Sequence, residues 1–165
     1  FKKVWPITVI GFTTQSSMGA IPANIENLTK KQGVSEEVAS FTAPLGATMG
    51  MPGCAGFWPV MNAIFAANMM GLSWSAGDYV KLVLIALLIS LGTVGVPGTA
   101  TITTTALFAA MGLPLEMVVL LAPISTLADM GRTATNVTAA NSAALIVAAS
   151  ENKLNREVFL SLIHI

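Results

Sequence analysis

The sequence predicts an all-α membrane protein: two re-entrant helical hairpins plus two transmembrane helices, one of them broken mid-membrane. Three observations predict it. Apolar residues make up 54% of the chain and charged residues 10%, against about 25% charged in an ordinary soluble domain, and mean hydropathy is +0.74. No charge occurs between Glu37 and Asp78 or between Lys81 and Glu116, and a membrane span needs about 20 apolar residues. Glycine and proline clusters cut these runs into half-length pieces, and irregular backbone at membrane depth is tolerated where it lines a protein cavity.

Composition also removes function classes. The formal net charge is zero, so nothing points to nucleic acid. Cys54 is the single cysteine and His164 the single histidine, which argues against an internal disulfide and against a Cys- or His-based metal site. No nucleophile–base pairing and no phosphate loop with its lysine is legible, and the glycine run 95–98 lacks a βαβ setting, so a soluble enzyme is disfavoured. The chain begins Phe1-Lys2-Lys3 with no initiator Met and is expected to be a fragment of a longer protein.

Residues 1–32 form the first hairpin. Its arms, 4–12 and 20–28, are each too short to span and flank the small polar tip 13–19. Residues 33–74 form the broken transmembrane helix. Ser35 with Glu36 and Glu37 suits its N-terminus, and Gly50, Pro52, Gly53 and Gly56 break it near the middle, since proline removes a donor and clashes with the preceding turn. A simple kink is the alternative. Trp58 and Trp74 suit either an interfacial anchor or, for Trp58, the core.

Residues 75–113 form the second hairpin. Its first stretch, 75–81, reads as a loop; the arms are 82–91 and 99–111, and the tip contains Gly92, Gly95, Pro97 and Gly98. Residues 114–152 form a second transmembrane helix, and 153–165 are a C-terminal tail after a polar exit. Two half-length, Gly/Pro-interrupted segments are a sequence pointer to a transport site.

That last helix carries the chemistry. Asp129, Arg132, Thr133 and Asn136 fall at i, i+3, i+4 and i+7, on one helical face. Each charge costs about 2.5–3.5 kcal/mol at the centre of a bilayer on insertion scales, so such residues face protein or a wet cavity. A buried structural ion pair is the alternative. If both hairpins return to their own side, Lys2, Lys3, Lys30, Lys31, Lys153 and Arg156 share one face, and only Lys81 lies on the other. The positive-inside rule makes the first face cytoplasmic. The hairpin tips are then expected to meet beside the broken helix and the Asp129–Asn136 face.

Four motifs carry a family resemblance: Ser16-Ser17 in a tip leading to Pro22; Pro44-Leu45-Gly46-Ala47-Thr48 entering the broken helix; Gly95-Val96-Pro97-Gly98 at the second tip; and Asp129-Met130-Gly131-Arg132-Thr133 with Asn136. Over residues 1–151 the chain resembles the transport core of the dicarboxylate/amino acid:cation symporters, the group that includes the glutamate transporters. The resemblance implies a secondary transporter working by alternating access, placed in the cell membrane as a multi-pass protein, bacterial plasma membrane in this case. It implies a membrane-lipid environment, a small-molecule substrate and a homotrimer of the full-length chain.

Carried over by position, Asp129 holds a substrate amino group, Arg132 a distal carboxylate, and Thr133 and Asn136 the amino and main carboxylate groups. Gln15, Ser16, Ser17, Val96 and Gly98 complete the pocket from the two tips, with the second hairpin as gate, and Cys54 replaces a substrate-contacting threonine. Backbone oxygens of Thr48, Met51, Ser90, Leu91 and Thr93 are the implied Na+ site. The family motif Asn-Met-Asp-Gly-Thr is here Gly50-Met51-Pro52-Gly53-Cys54, and a further sodium-binding Asp is Ala140. Two sodium sites thereby lose their charged ligand, so coupling is expected to use fewer sodium ions, or H+ with Asp129 as a candidate carrier. No organic cofactor is implied. Gly53-Cys54-Ala55-Gly56 resembles the bacterial cystine branch, so the expected substrate is an amino acid or a dicarboxylate, with cystine the specific alternative. A substrate-gated channel and an inert membrane module remain the rival classes.

Overall fold

The computed structural model describes residues 2–161; Phe1 and residues 162–165, including His164, lie outside the described residues. The elements run α1 (Trp5–Thr14), α2 (Ile21–Glu26) continued by a π-helical turn (Asn27–Lys31), α3 (Glu36–Met49), a second π-helical segment (Pro52–Phe57) continued by α4 (Trp58–Met69), α5 (Ala76–Leu91), α6 (Thr99–Met111), α7 (Glu116–Ser150) and α8 (Arg156–Leu160). Among the described residues there is no strand; one isolated antiparallel bridge pairs Val34 with Leu154. The expected all-helical class is what forms.

Local chemistry sets each boundary. Pro6 lies in the first turn of α1, where a missing N–H costs nothing. Gln15 ends that helix in the left-handed region, at φ 51°. In the tip, Ser16 Oγ accepts from the Gly19 amide at 3.0 Å, a hydroxyl-closed turn. Ser35 caps α3 by accepting from the Val38 amide, with Glu36 and Glu37 in the first turn. Gly50 and Met51 then leave helical geometry, at ψ 57° and 67°. The break is where expected, but the chain resumes in π geometry rather than with a simple kink. Pro52 contributes no N–H at its start, and the Ala55 and Gly56 amides both donate to the Met51 carbonyl, at 3.0 and 3.3 Å.

One expectation is corrected. Residues 75–81 are not a loop: α5 starts at Ala76 because Ser75 and Asp78 form a reciprocal capping box. The tail after residue 153 carries a short helix. Asn155 caps α8, its side chain accepting from the Glu157 and Val158 amides, and its own amide donates to the Gly33 carbonyl at 2.8 Å. Lys3 Nζ reaches the Val158 carbonyl, and Lys153 pairs with Glu37 at 3.2 Å. The start of the chain, the start of α3 and the exit of α7 therefore meet on one face, as the charge distribution anticipates.

α7 is the spine. At 1.5 Å per residue its 35 residues extend about 52 Å. Helices α1 and α3 approach it through small residues, the packing mode of membrane helices. A Cβ on Gly11 would stand 3.1 Å from Val137 Cγ2, and one on Gly46 only 2.5 Å from Ala140 Cβ. Ala39, Ala43, Ala144 and Ala148 continue the second seam in a cluster with Leu28 and Val34. The other end of α7 joins α4, α5 and α6 around Leu82, Ala86, Leu107, Phe108 and Val118.

Among the described residues, no helix is both long and apolar enough to cross a membrane. The two membrane-spanning helices expected from sequence are thus not present as single apolar rods. α7 has the length, but Ser125, Asp129, Arg132, Asn136 and Asn141 on its buried face dilute its hydropathy. The longest of the others, α5, has 16 residues, about 24 Å of helix against a hydrocarbon core of about 30 Å.

Candidate functional site

The four residues of the α7 face are brought together and buried: Asp129, Arg132, Thr133 and Asn136 are 6, 4, 2 and 1% exposed. Arg132 Nη2 donates to Asp129 Oδ1 at 3.0 Å, to the Ser125 carbonyl at 2.8 Å and to Ser125 Oγ at 3.2 Å. Its guanidinium carbon stands 4.2 Å from the centroid of the Trp58 ring, a cation–π contact in a desolvated setting. Arg132 Nε and Nη1 are buried without a hydrogen-bond partner. Unsatisfied buried donors cost about 1–3 kcal/mol each, more on a charged group. The guanidinium thus keeps two donors for which the described residues supply no hydrogen-bond acceptor.

The break in the α3–α4 helix delivers Cys54 to the same place. Asn136 Nδ2 donates to Cys54 Sγ at 3.1 Å, and Cys54 Sγ lies 3.8 Å from Asp129 Oδ1. The Gly53 amide donates to Asn136 Oδ1 at 2.8 Å, and Thr103 of α6 donates to the Cys54 carbonyl at 2.9 Å. Glycine is required at 53, because a Cβ would lie 2.7 Å from the Arg132 carbonyl. The π-helical segment thus presses backbone against backbone at the level of Arg132.

The two tips touch, as expected. The Met18 amide donates to the Gly95 carbonyl at 3.0 Å, and the Gly95 amide to the Ala47 carbonyl at 3.1 Å. Ser17 is buried against Gly95, where a Cβ would fall 2.6 Å from Ser17 Cβ, and Ser17 lines a small void with Asn136. Gln15 and Ser16 stay half-buried at the tip, while Val96 and Gly98 are exposed. The Val96 amide faces the Val94 carbonyl and Thr99 Oγ1, so Val96 and Gly98 lie on the tip rather than among the Asp129 cluster.

Of the expected cation ligands, Met51 and Ser90 line one cavity of about 540 Å³ between the broken helix and α5. Thr93 lines a neighbouring cavity of about 300 Å³, Leu91 is exposed, and Thr48 turns its hydroxyl back to the Pro44 and Leu45 carbonyls. The opened backbone at Gly50 offers a carbonyl oxygen, the donor type a hard cation takes, while the Met51 carbonyl already accepts from two amides. No cluster of three His, Cys, Asp or Glu side chains able to hold a metal occurs among the described residues.

Sequence reasoning missed three participants. Ser125 sits seven residues before Arg132 and four before Asp129, a spacing that marks the same face. Trp58 and Thr103 reach the site only through tertiary packing. Residues 1–150 match the model of the sodium:dicarboxylate symporter family. The chain belongs to that family. It is 40% identical over 154 residues to an uncharacterized symporter of Haemophilus influenzae, covering 93% of this chain and 35% of that protein. It is 36% identical over 159 residues to the L-cystine uptake protein TcyP of Bacillus thuringiensis, 96% of this chain and 34% of that protein, and 35% identical to TcyP of Shouchella clausii. It spans about a third of the length of the curated relatives it matches. The matched residues include the α7 face, the break and both tips, and the family is one of transporters rather than enzymes.

Proposed function

We propose that this chain is the substrate-carrying core of a secondary active symporter that moves an amino acid or dicarboxylate, with L-cystine the first candidate. The observation that carries the reading is Arg132, buried beside Asp129 with two guanidinium nitrogens unpartnered. An ammonium group opposite Asp129 and a carboxylate on the Nε/Nη1 edge of Arg132 would satisfy both, the second in the bidentate geometry suited to guanidinium. Cystine carries both groups at each end, and TcyP of the Bacillus relatives is named for its uptake.

Thr133 and Asn136 flank the pair from the same face, and Ser17 with its neighbours Gln15 and Ser16 approaches from the first tip. Cys54 occupies the side of the pocket between Asp129 and Asn136. The exposed second tip, with Val96 and Gly98, is the natural gate: the Met18–Gly95 and Gly95–Ala47 backbone bonds are what fasten it to the first tip and to α3. Sodium, bound by the oxygens of the broken helix and of Thr48, Met51, Ser90, Leu91 and Thr93, would supply the driving gradient; H+ is the alternative coupling ion. Phe41, Leu88, Val119, Leu127 and Ile146 are largely exposed, which suits a surface covered by lipid or by the remainder of a longer, trimeric membrane protein.

The test is uptake by the full-length parent in proteoliposomes. Labelled cystine, glutamate, aspartate and succinate are compared under sodium and proton gradients imposed separately. Saturable, gradient-driven uptake of one of them, lost in Arg132→Ala, is the expected result; no uptake of any under either gradient would overturn the substrate assignment.

A further inference from the structure

A second buried polar cluster lies outside the Asp129–Asn136 site. Asn24, Asn27, Gln32 and Asn141 are 3, 5, 0 and 0% exposed. They meet where the second arm of the first hairpin packs on α7. Asn141 Nδ2 donates to Asn24 Oδ1 at 2.7 Å. Gln32 Nε2 donates to Asn141 Oδ1 at 3.0 Å and also to Asn27 Oδ1. One oxygen is left over: Gln32 Oε1 is buried with no partner. A carbonyl left so is costly and calls for an explanation.

The backbone points the same way. Asn27 opens the π-helical turn Asn27–Lys31 and Gln32 caps its end. π turns concentrate at functional sites, and the C-terminal end of a helical arm is the negative end of its dipole, where cations are favoured. The cluster offers amide oxygens and no carboxylate. Without carboxylates to balance a double charge, the set suits a singly charged hard cation better than a divalent one. A groove of about 240 Å³ runs between α1 and the second arm, walled by Ile7 and Ala23 and by Asn27 itself, with Glu26, Lys30 and Lys31 at its mouth. Glu26 already pairs with Lys30 at 2.9 Å, so Asn27 joins the groove to the cluster without a fixed negative charge.

We infer that the Asn24, Asn27, Gln32 and Asn141 amides form a sodium site of neutral oxygens, reached through the groove between the arms of the first hairpin. In the arrangement seen, the Gln32 NH2 group holds the Asn27 and Asn141 oxygens together, as a cation between them would. Turning the Gln32 amide over brings Oε1 beside those same oxygens, so three ligands converge and the orphan acceptor is used. The site is separate from the backbone oxygens near Met51: it lies toward the start of α3, where Leu28 and Val34 pack on Ala39 and Ala43, whereas Gly50 follows the end of that helix.

The test uses the purified full-length parent and sodium as the probe. Melting temperature is followed against NaCl at constant ionic strength with choline as replacement. A saturable rise is expected, and Gln32→Leu should raise the half-saturating sodium concentration at least tenfold. Gln32→Glu, which keeps an oxygen and adds charge, should lower it about threefold and serves if the leucine variant does not fold. Arg132→Ala should leave the sodium response in place. Unchanged half-saturation in Gln32→Leu or in Gln32→Glu, or a melting temperature indifferent to sodium, overturns the site. The inference leans on the transporter reading only for sodium's role in coupling. Proton-driven cystine uptake with sodium-indifferent melting would sink the site and keep that reading; a Gln32-dependent sodium response without uptake of any substrate would do the reverse.

Discussion

The Gly53 amide donates to Asn136 Oδ1 at 2.8 Å, and this bond ties the broken helix to the Asp129–Asn136 face of α7. It exists because Gly53 has no side chain. Gly53→Ala places a Cβ 2.7 Å from the Arg132 carbonyl and 3.0 Å from its Cα, and backbone does not give way as a flexible side chain does. Overpacking of this kind costs about 1–3 kcal/mol. The expected outcome is a lower melting temperature and loss of most substrate affinity, read by thermal shift and by equilibrium binding on the same preparation.

Arg132→Ala removes the partner of a buried carboxylate. Breaking one side of such a pair costs about 3–5 kcal/mol, so a drop in melting temperature accompanies loss of binding. Arg132→Lys separates the two effects. It keeps the charge near Asp129 but loses the planar fork over Trp58, so most of the stability should return while affinity for a carboxylate-bearing substrate stays at least about tenfold weaker, roughly one charge-assisted hydrogen bond. Equal recovery of both would count against a bidentate contact.

Much of this architecture is legible in the sequence. Gly/Pro punctuation marks both tips and the break, and the i, i+3, i+4, i+7 spacing puts Asp129, Arg132, Thr133 and Asn136 on one face without any tertiary information. What stays hidden is long-range or follows no period. Trp58 lies 74 positions before the arginine it stacks on, and Asn24 lies 117 positions before Asn141. The π turns have no side-chain repeat to betray them. The capping box at Ser75 and Asp78 is a local signal, masked by the polar stretch around it.

The touching tips predict a cross-link. Ser17 and Gly95 replaced together by cysteine put two Cβ atoms closer than the roughly 3.5–4.5 Å of a disulfide, so a small outward shift brings them into range. The double variant should oxidise spontaneously, read as a mobility shift that reductant reverses. Cys54 is buried and does not compete. Failure to cross-link in a variant that still folds would mean that the tips are apart for most of the time.

Cys54 gives an independent probe of occupancy. It is 4% exposed and contacts both Asp129 and Asn136. Labelling by a small thiol reagent should be slow, and slower still with saturating substrate, by at least about tenfold if the pocket closes over it. Labelling that ignores substrate would place binding elsewhere.

The capping box carries a pH signature. The Ser75 hydroxyl, then its backbone amide, hold the exposed Asp78 carboxyl below the usual carboxylate range. A lowered folded-state value stabilises fully above the ordinary aspartate range, and the stability is lost as pH falls from there through the lowered folded-state value. Ser75→Ala should therefore lower the melting temperature at neutral pH and flatten its decline in acid, with little difference between the two proteins once Asp78 is protonated.

The π turn at Asn27–Lys31 has a consequence for how such a chain diverges. A π turn closes its bonds at i+5 where an α turn closes at i+4, so it carries one residue more. Deleting a single residue from 27–31 would let the arm run on as plain α-helix and rotate everything beyond by about 100°, swinging Gln32 away from Asn141. Insertions and deletions are normally absorbed by loops. Here a change of one codon inside a helix would decide whether the amide cluster exists, so its presence or absence among relatives should follow the length of this arm rather than the identity of any one residue in it.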